Sequence, residues 1–124
     1  MNKINSYNEL IVWQKSVELV TEVYKITASL SETGSYGLST QMNKASVSIP
    51  CNIAEGWGRE NSKSYSTFLR LSRGSVFELE TLLQIGKNLK VINDEQFVNA
   101  IAKTIEMQRM LNSLIKKVKH NSFN

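Results

Sequence analysis

The stretch Ser48-Ile49-Pro50-Cys51-Asn52-Ile53-Ala54-Glu55-Gly56 constrains this chain more than any other. Leu38, Met42, Ala45, Ile49 and Ile53 recur at spacings of three and four, the repeat of one helix face, and Trp57 closes the series. The only proline of the sequence therefore falls inside a predicted helix over about residues 38–56. A proline there lacks the N–H that would bond the carbonyl of Ser46, and its ring crowds that carbonyl. A kink at Pro50 is expected, with Ser46 or Ser48 compensating locally and Asn52 bonding backbone that the proline frees. Gly56 and Gly58 are expected to stop the helix. Glu55, in a small and apolar run, calls for a cation; Arg59, Arg70 or Arg73 would supply an ion pair fixing the corner to the next helix.

The same repeat runs through the rest of the chain, and no segment sustains the alternation of a strand. A first helix is expected over about residues 9–30, with Asn8 as its cap. Trp13, Val17, Val20, Tyr24 and Thr27 form one stripe on it; Val12, Leu19, Val23, Ile26 and Leu30 form another. A third helix, over about 63–89, turns Tyr65, Phe68, Leu69, Ser72, Val76, Leu79, Leu82, Leu83 and Gly86 inward. Gly74, among small residues, marks a close helix crossing or, less simply, a cleft. A fourth helix, over about 94–119, opens on Asn93-Asp94-Glu95-Gln96, a capping-box pattern. Its inner stripe reads Phe97, Ile101, Thr104, Gln108, Leu111, Ile115 and Val118, and the tail from His120 to Asn124 is expected to fray. Four helices with short links predict an all-α, up-down-up-down antiparallel bundle as a single domain over residues 1–124.

The two apolar stripes of the first helix cover more than a one-sided surface helix needs. Either that helix is central in its own bundle, or Val12, Leu19, Val23 and Ile26, with the off-stripe Phe77, meet a second copy of the chain. Self-association is the expectation, because a closed symmetric assembly reuses one patch in every subunit.

Composition argues against catalysis. The sequence holds one histidine, His120, in the tail, and one cysteine, Cys51, so no disulfide framework is available, and Glu78 and Glu80, two apart, point to different faces and make no acid–base pair. No Glu-x-x-His pattern of a di-metal bundle occurs, and no serine sits in a recognisable nucleophile motif. The expectation is a protein without metal or cofactor, neither an enzyme nor a membrane protein, and cytoplasmic. Charge is uneven. Residues 1–60 carry five basic side chains against six acidic ones, net −1, and the remainder carries ten against five, net +5. Lys63, Arg70, Arg73, Lys87, Lys90, Arg109, Lys116 and Lys117 are the candidates for contact with structured RNA or DNA. They are spread around their helices, and no base-reading motif accompanies them, so such contact would be led by charge and shape. The rival expectation is a protein-interaction adaptor whose basic faces are merely solvated.

Leu10-x-x-Trp13-Gln14-Lys15, Tyr24, Tyr36-Gly37-Leu38-x-x-Gln41, the Ser48–Gly56 string, Phe68-Leu69 and Gly74-Ser75-x-x-Glu78-Leu79-Glu80 together resemble the four-helix bundle proteins associated with intervening sequences in bacterial 23S ribosomal RNA genes. That family is similar to the accessory variability protein of diversity-generating retroelements. The resemblance implies a homopentamer of four-helix bundles, binding of nucleic acid through positive charge, and association with a reverse transcriptase. Two basic residues often follow the glutamine of the second helix in such proteins. Asn43-Lys44 keeps one, which implies a weaker positive surface here.

Overall fold

The computed structural model describes residues 3–120. A single turn of 3-10 helix at Tyr7–Glu9 leads into α1 (Ile11–Leu30); α2 (Tyr36–Gly58), α3 (Ser62–Asn88) and α4 (Asp94–His120) follow. Residues 121–124, most of the tail expected to fray, lie outside the described ones. At about 1.5 Å per residue, α3 and α4, of 27 residues each, span roughly 40 Å.

Pairings between helices give their directions. Glu80 of α3 accepts hydrogen bonds from Thr104 (2.8 Å) and Gln108 of α4, and Arg73 donates to Asn112 at 2.8 Å. Later residues of α4 thus meet earlier residues of α3, as in two antiparallel helices. Ser48 meets Ser75, and Gly56 packs on Tyr65 and Phe68, in the same opposed sense for α2 and α3.

The core lies between all four helices. Val12, Leu19, Val23, Ile26 and Leu30 of α1 meet Met42, Ile49 and Ile53 of α2, Leu69, Val76, Leu79 and Leu83 of α3, and Met107 and Leu111 of α4. This corrects the assignment of Val12, Leu19, Val23 and Ile26 to a contact with another chain. All four are buried by their own bundle, Val23 completely. Of that proposed set only Phe77 reaches the surface, 46% exposed. The outward apolar residues of α1 are instead Ile11, Val17 and Tyr24. In α4 the fully inward stripe is Ala100, Thr104, Met107, Leu111, Ile115 and Val118; Phe97, Ile101 and Gln108 are only partly buried, the last turned toward Glu80.

Helix ends follow local chemistry. The 3-10 turn displaces the start of α1, so Leu10 supplies the carbonyl that accepts from the Gln14 N–H (3.1 Å), while the Asn8 carbonyl accepts from the Gln14 side-chain amide (2.9 Å). Asn61 caps α3, its side chain accepting from the Ser64 N–H at 2.8 Å. Asn93 and Gln96 make the reciprocal capping box, at 2.7 and 3.0 Å. In α2 the helix continues through Pro50. Neither serine nor Asn52 takes over the Ser46 carbonyl. Ser46 donates to Asn43 O (2.9 Å), Ser48 pairs with Ser75, and Asn52 donates to Ser48 O (2.8 Å). Ser72, buried on α3, instead donates across the interface to Ile49 O at 3.0 Å, tying α3 to α2 next to the proline.

Gly56 departs from its expected role. Gly56 does not stop α2. It lies buried within the helix, where an added Cβ would sit 2.6 Å from Phe68 Cβ, so it is the close crossing. Gly74 itself is exposed with nothing near its missing side chain, and the close crossing expected of the Ser72–Ser75 segment is made by its serines, Ser72 to Ile49 O and Ser75 to Ser48. After α2 the chain reverses through Glu60, in the left-handed region at φ 60°.

Candidate nucleic-acid interface

The antiparallel register of α3 and α4 sorts the basic residues that sequence spacing leaves scattered. From the Arg73–Asn112 contact toward the start of α3, α4 runs toward its end. Lys116 and Lys119 follow Asn112 at helical spacings of four and seven, hence on the same side of α4. On α3 the matching positions are Arg70, Ser66 and Lys63. Ser62, Lys63, Ser66, Thr67, Arg70 and Lys119 together line a hollow of about 380 Å³. Three cations and three hydroxyls, with no carboxylate on the wall, make a surface suited to anionic oxygen. The first turn of α3, whose N–H groups carry partial positive charge, lies alongside.

None of these cations is neutralised nearby. Among the described residues the ion pairs are Arg59–Glu55 and Lys103–Glu22, neither of them in this seam. Arg70 is steadied by the Ser66 hydroxyl (2.8 Å), and Arg73 by Asn112. Neutral partners hold the guanidinium groups in place without cancelling their charge. Phe77, one turn along α3 from Arg73, adds an exposed aromatic ring beside them.

The remaining candidates divide. Arg109 and Lys117 border a separate apolar hollow of about 660 Å³, between the N-terminal segment (Ile4, Leu10, Ile11) and α4 (Met110, Leu114). Lys87 and Lys90 lie at the far end of α3, about 35 Å from Lys63 along the helix. There Lys87 sits over the Phe97 ring, 4.5 Å from its centroid, and Lys90 forms the turn into α4 at φ 62°. Those two do not join the seam. Lys119, expected from its own helix to point away from Arg109 and Lys116 and not among the eight candidates, does; the α3–α4 register that identifies it is not visible in one helix alone.

Glu55 pairs with Arg59 at 3.3 Å, and the Arg59 guanidinium lies 4.9 Å from the centroid of the Phe68 ring. Arg59 therefore ties the end of α2 to α3, with Arg70 and Arg73 left for the seam. Both partners of the pair are exposed, so it contributes only about 0.5 kcal/mol.

Among the described residues no group of three or more His, Cys, Asp and Glu side chains could hold a metal ion, and no helix is long and apolar enough to cross a membrane. Cys51 is exposed on α2 beside Val47 and Tyr24.

Comparison with known proteins agrees with this architecture. A solved structure of a protein of unknown function from the S23 ribosomal protein family of Bacteroides thetaiotaomicron superposes with a TM-score of 0.82. It shares 23% sequence identity and is matched over 86% of this chain and 99% of its own. No match was found among curated proteins. The family model described as 23S rRNA-intervening sequence protein matches residues 8–113, and the chain belongs to that family.

Proposed function

We propose that this protein is a non-catalytic nucleic-acid-binding bundle that engages structured RNA or DNA through the α3–α4 seam. The observation carrying the reading is the hollow shared by Lys63, Arg70 and Lys119, with hydroxyls interleaved and no carboxylate paired to any of them; Arg73, at the Asn112 contact, and Lys116, one turn beyond Asn112, extend it to five cations. Phosphate neutralisation adds up contact by contact, so a cluster of five acts where scattered lysines do not. Fluorescence anisotropy with a hairpin RNA and a duplex DNA tests it. Five phosphate contacts on duplex DNA imply an affinity loss on the order of 10²- to 10³-fold between 50 and 200 mM salt. Absence of binding at low salt would overturn the reading.

The reading includes assembly of identical subunits, with a pentamer expected. Tyr24 and Val47, both exposed, border a largely apolar hollow of about 590 Å³ between α1 and α2, a surface that a second copy would cover. Light scattering should return a mass of five subunits; a mass of one subunit would remove this part while leaving the cationic seam intact.

A second reading, an adaptor for a polymerase such as a reverse transcriptase, is favoured by the apolar hollow of Ile4, Leu10, Ile11, Met110 and Leu114 flanked by Arg109 and Lys117. Capture of that partner that persists after nuclease treatment would support it.

A further inference from the structure

We propose that the hollow at the start of α3 holds the terminal phosphate monoester of a nucleic-acid strand, so that the cationic seam begins at a strand end. The inference rests on the nucleic-acid reading and deepens it by naming the group that this part of the surface takes. Lys63, Arg70 and Lys119 converge on one space of about 380 Å³, with Ser62, Ser66 and Thr67 between them. A phosphodiester inside a strand carries one negative charge and two free oxygens. A phosphate monoester carries close to two charges at pH 7 and presents three strong acceptor oxygens. Three cations around a single diester exceed its charge; around a monoester they come near to matching it.

The hollow is organised before any ligand arrives. Thr67 donates to Lys63 O at 3.0 Å, and the Ser66 hydroxyl accepts from Arg70 at 2.8 Å. Both bonds fix the wall, and neither removes charge from it. Groups held in this way lose little freedom when an anion binds. The Ser62 hydroxyl, half-buried on the same wall, makes no hydrogen bond among the described residues and is left to donate.

The surface differs on the two sides of the hollow. Along the seam, Arg73 and Lys116 stand three residues from Arg70 and Lys119, about 4.5 Å along each helix axis. A strand leaving the hollow in that direction meets cations for its next phosphates. In the other direction the cations are matched. Lys3 borders a cavity together with Glu60, and Arg59 pairs with Glu55. The positive surface therefore stops at Asn61, which suits a strand that ends rather than one that passes through. Its continuation through Arg73 and Lys116 favours a nucleic-acid end over a lone phosphorylated side chain of a protein.

Hairpin RNA labelled in its loop provides the test, in three forms: hydroxyls at both termini, a 5′-phosphate, or a 3′-phosphate. The form whose phosphate enters the hollow is expected to bind about tenfold more tightly than the hydroxyl form, the scale of charge-assisted hydrogen bonds. Its methyl ester, with one charge and one free oxygen fewer, should keep only about a twofold gain. Arg70 and Lys119 are exposed, and Arg70→Gln with Lys119→Gln should bring the forms within about twofold of one another. Ser62→Ala should shrink the preference without changing affinity for the hydroxyl form, and Lys87→Gln with Lys90→Gln should leave it whole. Equal affinity for the three forms, a methyl ester that binds as the monoester does, or a preference that survives Arg70→Gln with Lys119→Gln would each overturn the proposal while the nucleic-acid reading stands. Should no form bind at low salt, both fall. Inorganic phosphate separates an RNA end from the free ion. Displacement of the phosphorylated hairpin only by a large excess supports the proposal; displacement at equal concentration would make the free ion the ligand and overturn it.

Discussion

The two ends of the bundle treat their polar groups differently. Where α3 turns into α4, the chain is sealed. The Val91 and Ile92 N–H groups both reach Gly86 O, at 3.1 and 3.3 Å, and Ile92, 2% exposed, packs where a Gly86 side chain would stand. Asn93 and Gln96 satisfy each other's backbone, and Lys87 rests on Phe97. Where α2 turns into α3, the fold leaves groups waiting: a buried phenol without a partner and a run of cations without carboxylates. The first end shows what this sequence does when a junction serves only the fold. The departures at the second are therefore informative about function rather than about the limits of folding.

The sharpest separation concerns stability. Ile92→Ala should cost about 2–5 kcal/mol, because it removes buried methyl groups and uncovers the Gly86 backbone they shield. A denaturant midpoint close to wild type would mean that the sealed end is not cohesive. Charge provides the next contrast. Lys63→Glu with Arg70→Glu should lower hairpin RNA affinity about 100-fold, whereas Lys87→Glu with Lys90→Glu, an identical change in net charge, should lower it less than fivefold. Equal losses would show that the field of the whole protein, and not one end of it, attracts the nucleic acid.

Legibility in the sequence divides along the same line. The four helices were readable because Leu38, Met42, Ala45, Ile49 and Ile53, and their counterparts elsewhere, keep the helical repeat, and the α4 cap was readable because Asn93 and Gln96 suffice to build it. Which of two stripes on α1 faces inward was not. Both have the right spacing, and only packing against Met42, Leu79 and Leu111 selects Val12, Leu19, Val23 and Ile26 for the core. The eight basic residues were visible as types but not as a surface, since their grouping depends on the α3–α4 register. Lys119 joins because it falls beside Lys63 and Arg70, and Lys87 leaves because it lies several turns away. Gly56 misled, because a glycine's role depends on what lies across from it, here Phe68. Tyr65 was assigned to the core from its spacing; that its hydroxyl lacks a partner is a property of its neighbours.

The same hydroxyl predicts an alkaline signature. Burial holds the Tyr65 pKa at about 12 in the folded state, above the usual tyrosine value, so folding favours the protonated phenol. Its contribution is complete below pH 10 and is lost as pH rises toward 12, a fall of up to about 2–3 kcal/mol in unfolding free energy. Tyr65→Phe should flatten the wild-type curve in that window and leave it unchanged at pH 7. Parallel curves for the two proteins through pH 12 would show that solvent reaches the phenol, and would weaken the contrast between the ends.

The smallest effect bears most directly on why the ends differ. Glu60 and Lys90 occupy equivalent places, the left-handed residue after a helix, at φ 60° and 62°. Glycine at either site relieves a steric cost of about 1–2 kcal/mol and returns part of it through the greater freedom of the unfolded chain. Glu60→Gly and Lys90→Gly should therefore each stabilise the fold by about 0.5–1 kcal/mol, measurable as a higher denaturant midpoint with unchanged slope. If backbone strain were all that mattered, the two variants would remain indistinguishable in every assay. The cationic seam makes them diverge: Lys90→Gly, several turns away, should bind hairpin RNA as wild type does, while Glu60→Gly, which removes a carboxylate two residues before the first residue of the cationic hollow, should bind it up to about twofold more tightly. Equal RNA affinity for the two variants would return the α2–α3 corner to the same standing as the sealed end.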